Sequence, residues 1–181
     1  LAITTDSVVE EIAAGLYTDP YLIGWMTVMT NMSDLAAVGA QPIGILVSEV
    51  LPSDLPNEFI TSLQRGIEDA SSACETFVLG GDTNRGEQLL LTGCAIGTVA
   101  NNRRLTRKGY GVNDILFATN FLGGGNAFAL QQLWNRHPKE IKYLPQARLK
   151  EGAVLSSFAT ASMDTSDGVI ATLDQMMRLN N

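Results

Sequence analysis

The sequence predicts a mixed α/β (α+β) protein, and three observations carry that prediction. Continuous or alternating apolar runs that read as strands are interleaved with stretches whose apolar residues recur every three to four positions. Gly, Pro and Asp punctuate the runs where chains turn. With 45% hydrophobic and 17% charged residues over 181 positions, the chain is too apolar for disorder and can bury a core of one large or two small domains.

Taken in order, "LAITTDSVV" reads as a strand ending near Asp6. From Pro20 the pattern turns helical: Leu22, Trp25, Met26, Met29, Met32, Leu35, Ala36 and Val38 share one face, and Gly39 closes the helix. "IGILVSEVLP" is a buried strand stopped by Pro52, and the next helix places Phe59, Ile60, Leu63, Ile67, Ala70 and Cys74 on one side. "TFVLGGD" and "LLLTGCAIGTV" return to strand, and these elements form one unit over residues 1–104. A polar, basic stretch at 101–111, "NNRRLTRKGYG", marks the boundary with a second unit over 105–181. There "DILFAT" reads as strand, "GGGNAFALQQLWNR" as a helix entered through glycines, and "AVLSSFATASMD" as helix running into strand. A last helix, "GVIATLDQMMRLN", puts Val169, Ile170, Leu173, Met176 and Met177 on one face. The chain opens at Leu1 inside a strand and stops at Asn181 in a helical pattern, which reads as a segment of a longer protein.

A net charge of −7 and a pI near 4.6 exclude nucleic acid and anionic membranes as partners. No apolar run approaches membrane-spanning length. Cys74 and Cys94 lack metal-ligand spacing and read as reduced thiols of a cytoplasmic protein. The lone histidine, His137, sits in a helix-end loop and receives no role.

The chemistry concentrates in aspartates. "SMDTSDG" places Asp164 and Asp167 around Ser166 where a strand hands over to a helix; helix capping competes with metal binding as an explanation. Asp6 ends the first strand beside Thr5, and Asp82 follows an apolar strand in "GGDTNRG", which equally suits a surface turn. Asp34 lies in an otherwise apolar helix, where an unpaired carboxylate costs several kcal/mol or neutralises itself. It needs partners, either Asn31 and Ser33 as hydrogen-bond donors or a shared metal. Four such motifs together, with little Cys or His, suit Mg²⁺, which prefers carboxylates, phosphates and water. Magnesium in turn suggests a polyphosphate, although neither the phosphate-cradling loop G-x-x-x-x-G-K-[ST] nor the Rossmann glycine spacing is present. "GGD" and "LGGGNA" can bring backbone N–H groups to phosphates, and Arg107 in "LTRKG" is a candidate cationic contact beside a solvated-loop alternative.

In this order "LAITTDSVVE", "NMSDLAAVGAQP", "VLGGDTNRG", "LTRKG…ND", "LGGGNAFAL" and "MDTSDG" resemble the thiamine-monophosphate kinases of the aminoimidazole ribonucleotide synthetase-like superfamily over nearly the whole chain. "GGDT" favours that branch over aminoimidazole ribonucleotide synthetase and selenophosphate synthetase; hydrogenase maturation factors are a more distant comparison. The resemblance implies a two-domain fold whose N-terminal domain forms a dimeric β-barrel-like core, with the C-terminal domain incomplete here. It implies Mg²⁺ and ATP, a small phosphorylated acceptor, and a homodimer. Thr5, Asp6, Asp34, Asp82, Asp164 and Asp167 would hold metal, with Asp82, Asp164 and Asp167 serving the reaction. Gly81, Asp82, Arg107 and Ser166 would bind ATP. The family continues its first motif as Val-Glu-Gly-x-His-Phe, with the His on the substrate. Here Glu11, Ala13 and Ala14 stand at the Gly, His and Phe positions, which implies a shifted acceptor. Another ATP-dependent synthetase of the superfamily, a catalytically silent nucleotide-binding homologue and a plain acidic α/β domain stand as alternatives.

Overall fold

A computed structural model describes residues 1–100, 103–136 and 141–180. The first 98 residues build a four-stranded sheet with helices on one face. Strand β1 (Ala2–Ser7) leads through the short helix α1 (Val9–Ala13) to α2 (Pro20–Ala37), then β2 (Gln41–Pro52), α3 (Asn57–Ala73), β3 (Val78–Gly86) and β4 (Leu90–Thr98). The strand order is β1-β4-β2-β3, with β1 and β2 antiparallel to β4 and β3 parallel to β2. The β2–α3–β3 crossover accounts for the one parallel pair, because a parallel neighbour needs a long return connection. The mixed α/β expectation is borne out.

Helix α2 starts where sequence chemistry says it should: Asp19 caps it by accepting a hydrogen bond from the Tyr21 N–H, and Pro20 occupies the first turn. It is buried on nearly every side, from Leu22 through Ala36. The helix thus lies between sheet and α3, with Leu63, Ile67 and Ala70 of α3 and Ile45, Val47, Leu91 and Ala95 of the sheet in the same core. The two helices approach backbone to backbone. A Cβ on Gly24 would run into the Leu63 carbonyl, and one on Gly66 into the Tyr21 carbonyl. Gly39 follows the terminal Val38 in a left-handed conformation, φ +71°.

Helices α4 (Gly124–Trp134), α5 (Leu149–Leu155) and α6 (Val169–Asn180) follow. Phe128 of α4 stacks on Tyr143 at 4.7 Å, Trp25 Nε1 donates to the Pro145 carbonyl at 2.7 Å, and Gly152 of α5 lets that helix close on the Ala36 carbonyl. These contacts fix the 141–152 stretch along α2.

One open alternative is resolved and three expectations are corrected. "GGDTNRG" is no turn: β3 runs through it to Gly86, because β2 offers a ladder along its whole length. "DILFAT" and the end of "AVLSSFATASMD" form no strand among the described residues, having no partner ladder. The predicted apolar face of α6 is only partly covered: Ile170 is 81% and Met177 59% exposed, Val169, Leu173 and Met176 are half-buried, and Thr172 is the buried residue of that helix. His137, Asn101 and Asn102 lie outside the described residues.

A candidate carboxylate site between the first strand, the central helix and the last helix

Alternation along β1 turns Thr4 and Asp6 toward α2 and Thr5 toward the opposite face of the sheet. Thr4 Oγ1 donates a 2.6 Å hydrogen bond to Asp34 Oδ2. The partners expected for Asp34, Asn31 and Ser33, do not fill that role among the described contacts. Asn31 instead clamps the main chain of Asp6: its Oδ1 accepts from the Asp6 N–H at 3.0 Å, and its Nδ2 donates to the Asp6 and Thr27 carbonyls at 3.3 and 2.9 Å. Asn31 is fully buried, and it reaches β1 because Gly93, opposite Asp6 in β4, has no side chain; a Cβ there would collide with Asn31 Nδ2. Thr5 Oγ1 donates to the Gly93 carbonyl at 2.8 Å, and the Ser7 N–H donates to Asp6 Oδ1 at 2.8 Å.

Three segments share one electrostatic field here. Burial pushes the Asp34 carboxyl above its ordinary value of 3.8; the Thr4 hydroxyl opposes this, Asp164 and Asp6 add to it, and Arg107 opposes it. Burial also raises Asp6, against the Ser7 N–H, and Asp164 and Asp167 raise it further. Asp164 Oδ2 is a buried acceptor with no hydrogen-bond partner. Two carboxyls, Asp6 and Asp34, raised by burial and by neighbouring acids, together with an Asp164 oxygen left unsatisfied, form a donor set that a hard divalent cation fits. Among the described residues no three acidic, His or Cys side chains converge on a closed metal cage.

The loop carrying Arg107 is tied to α6. Arg107 Nη1 donates to Gln175 Oε1 at 3.0 Å, Asn180 Nδ2 donates to the Arg107 carbonyl at 2.8 Å, and the Gly109 N–H donates to Asn180 Oδ1 at 2.8 Å. Thr172 Oγ1 donates to the Asp164 carbonyl at 3.0 Å, so α6 anchors both the loop and the acidic turn before it. Ser166 and Asp167 are exposed on that turn.

Asp82 stands apart. Its β3 position pairs with Ser48 of β2, on the face of the sheet that the helices leave uncovered, and its carboxylate accepts from Asn84 Nδ2 at 2.6 Å. Gly81 has a structural reason to be glycine, since a Cβ would strike the Val47 carbonyl. The structure therefore brings Asp6, Asp34, Asp164, Asp167 and Arg107 into one field, turns Thr5 and Asp82 to the uncovered face of the sheet, and leaves Gly81 in the edge strand beside Asp82. Thr4, Gln175 and Asn180 were missed from the sequence, and Asn31 was expected to serve Asp34 where it holds Asp6. Only strand alternation around Asp6 could have pointed to Thr4.

Known proteins resemble this chain in sequence and fold. Residues 1–99 match the family model of the AIR synthase related protein N-terminal domain. A thiamine-monophosphate kinase of Methanocaldococcus jannaschii is 35% identical over 93% of this chain and 58% of its own. The crystal structure of thiamine monophosphate kinase from Aquifex aeolicus superposes with a TM-score of 0.85 at 26% identity, over 97% of this chain and 62% of that one. A structure of AaThiL complexed with AMPPCP and TMP has the same fold, with a TM-score of 0.76 at 23% identity, over 97% of this chain and 59% of that one. The chain thus spans about three fifths of the length of the relatives it matches. No helix among the described residues is long and apolar enough to cross a membrane. With over half of its length matched by the family model and relatives of one kind along nearly all of it, the chain belongs to the AIR synthase related protein family.

Proposed function

We propose that this chain is the ATP-binding part of an Mg²⁺-dependent phosphotransferase of the thiamine-monophosphate kinase type. The reaction moves the ATP γ-phosphoryl group to a phosphate-monoester acceptor. One observation carries the reading: Asp6 and Asp34, from two distant stretches, are raised by burial and by the acids of a third, while a buried Asp164 oxygen there has no hydrogen-bond partner. Such a set is unfavourable alone and becomes favourable around a cation bound to phosphates.

When bound, Mg²⁺ would neutralise the phosphate oxygens and orient them for in-line transfer. Asp6, Asp34, Asp164 and Asp167 would hold it; the Thr5 hydroxyl, which donates to the Gly93 carbonyl on the opposite face of the sheet, would take part only there, with Asp82. Asn31 and Thr4 fix the positions of Asp6 and Asp34. Arg107 and Ser166 would touch the nucleotide, and α6 holds their segments together. A phosphate-monoester acceptor is itself a competent nucleophile near neutral pH, so the chain's task is to bind and orient. We also propose the division into units 1–104 and 105–181 and a homodimer. Asp82 faces the side of the sheet to which we assign the second copy, so its part in nucleotide binding, with that of the neighbouring Gly81 main chain, is tied to that assembly. Ala13 and Ala14 leave the acceptor open within the phosphate-monoester class.

The test is turnover by the full-length protein with Mg·ATP, with and without thiamine monophosphate, following ADP, free phosphate and the thiamine product together. The expected result is acceptor-dependent ADP with a diphosphate product and no free phosphate, reduced at least about a hundredfold in Asp34→Asn. Free phosphate in place of a phosphorylated acceptor would assign a synthetase reaction instead.

A further inference from the structure

Glu49 is a buried acid that the proposed reaction does not use. It sits in the middle of β2, 4% exposed, on the face against α3. Among the described residues no cation pairs with it. Its Oε1 and Oε2 accept from Gln64 Nε2 of α3 at 2.9 and 3.0 Å, and its Oε2 accepts from Thr83 Oγ1 of β3 at 3.3 Å. Burying a carboxyl is costly unless its hydrogen bonds serve it well, so its place at this point calls for an explanation.

The strand it grips provides one. β3 is an edge strand held laterally by β2 alone, every residue in it is exposed, and it contains Gly80, Gly81 and Gly86. The ladder is already irregular between Ile45 and Leu46, just before Gly80. Glycine-rich, solvent-exposed strands specify their register weakly, and a slip of one residue turns every side chain to the other face. In β3 that slip would turn Asp82 away from the uncovered face. Glu49 and Thr83 are direct register partners, one position after Ser48 and Asp82.

We infer that Glu49 is a positioning residue: with Gln64 behind it, it pins Thr83 and so fixes the register in which β3 presents Gly81 and Asp82. The inference rests on the phosphotransferase reading above. The pin acts through Thr83, an exposed residue, so Thr83→Val removes it without disturbing the core.

The experiment uses the full-length protein, measuring Mg²⁺-dependent binding of a non-hydrolysable ATP analogue and hydrogen exchange of the 78–86 amides. Thr83→Val and Glu49→Leu are expected to raise the half-saturating Mg²⁺ concentration about tenfold and to speed exchange in β3 by a similar factor. Thr83→Val should keep the parent's melting midpoint, and Glu49→Gln, whose amide oxygen still accepts, should stay within about threefold of the parent. Unchanged exchange and Mg²⁺ dependence in Thr83→Val would overturn the inference. So would faster exchange with unchanged Mg²⁺ dependence, since the bond would then serve the strand alone. An unsubstituted protein that binds no nucleotide with Mg²⁺ would instead overturn the functional reading on which this one rests.

Discussion

At the residue scale, Asp34 concentrates the conflict between stability and chemistry. Its carboxyl is raised above 3.8 by burial and by Asp164 and Asp6, with Thr4 and Arg107 only partly opposing. The folded chain therefore binds this proton more tightly than the unfolded chain. Its contribution to stability is complete below pH 3.8 and is lost as pH rises through the raised value. At neutral pH the metal-free protein carries the cost in full. Asp34→Asn keeps an acceptor for the Thr4 hydroxyl and removes the charge. Once screening of a half-exposed group is allowed for, the variant should be more stable without metal by at most about 1 kcal/mol, or about 2–4 °C in melting midpoint. Millimolar Mg²⁺ with nucleotide should raise the parent's midpoint and leave the variant's in place. Thermal melts at about pH 5 and pH 8, with and without Mg²⁺, check both statements; a variant less stable than its parent at both values would show that Asp34 is already compensated. Cys74 shows burial acting alone, its thiol pushed up to about 11.

At the scale of elements, the decisive contact is the crossing of α2 and α3 at Gly24 and Gly66. Each glycine faces a main-chain carbonyl of the other helix, and no side-chain rotation can make room for a methyl group. Gly66→Ala should therefore cost about 3 kcal/mol, at the upper end of overpacking, and lower the melting midpoint by about 6–12 °C. Since α2 carries Asn31 and Asp34, the same variant should also weaken nucleotide binding; a midpoint within about 2 °C of the parent would mean that the helices slide apart at no cost. Helices α2 and α3 and strands β2 and β4 were legible in the sequence because their signals are local: an apolar face or run repeats within each segment, and Pro20 marks the start of α2, whereas the short α1 carries no such repeat and was not read. β3 was only half legible. "GGDTNRG" has the composition of a turn, and its extended form comes from a ladder with β2, distant in sequence. The same dependence on partners explains the opposite error at "DILFAT", which has strand composition and, among the described residues, no strand beside it. For the site, Asp34 was legible as a misfit in an apolar helix. Its bond to Thr4 and the hold of Asn31 on Asp6 were not, because they depend on β1 lying over α2, a matter of strand order.

At the scale of the whole molecule, the helices cover one face of the sheet and leave the other bare. On the bare face Ile3, 65% exposed, pairs with Ile96, and Leu46, 40% exposed, lies beside Cys94 and in line with Thr5. The next row, Ser7, Thr92, Ser48 and Asp82, is polar. An apolar patch bounded by a polar row is the composition of an interface, with a hydrophobic centre and a hydrated rim. The homodimer proposed above would bury that centre. Leu46→Glu places a charge in the middle of it and leaves the helix-side core untouched. The expected outcome is a shift from dimer to monomer at micromolar concentration by light scattering, because a desolvated carboxylate without a partner costs several kcal/mol. Val112→Glu, at a fully solvated position outside the sheet, supplies the control and should leave the assembly unchanged. If Asp82 meets the nucleotide only in the assembled protein, Leu46→Glu should lose Mg²⁺-dependent nucleotide binding in step with the dimer. Restoring the dimer by raising protein concentration should then restore binding. A monomeric variant that binds as its parent does would separate the two and confine the nucleotide to the Asp6, Asp34 and Asp164 side of the sheet.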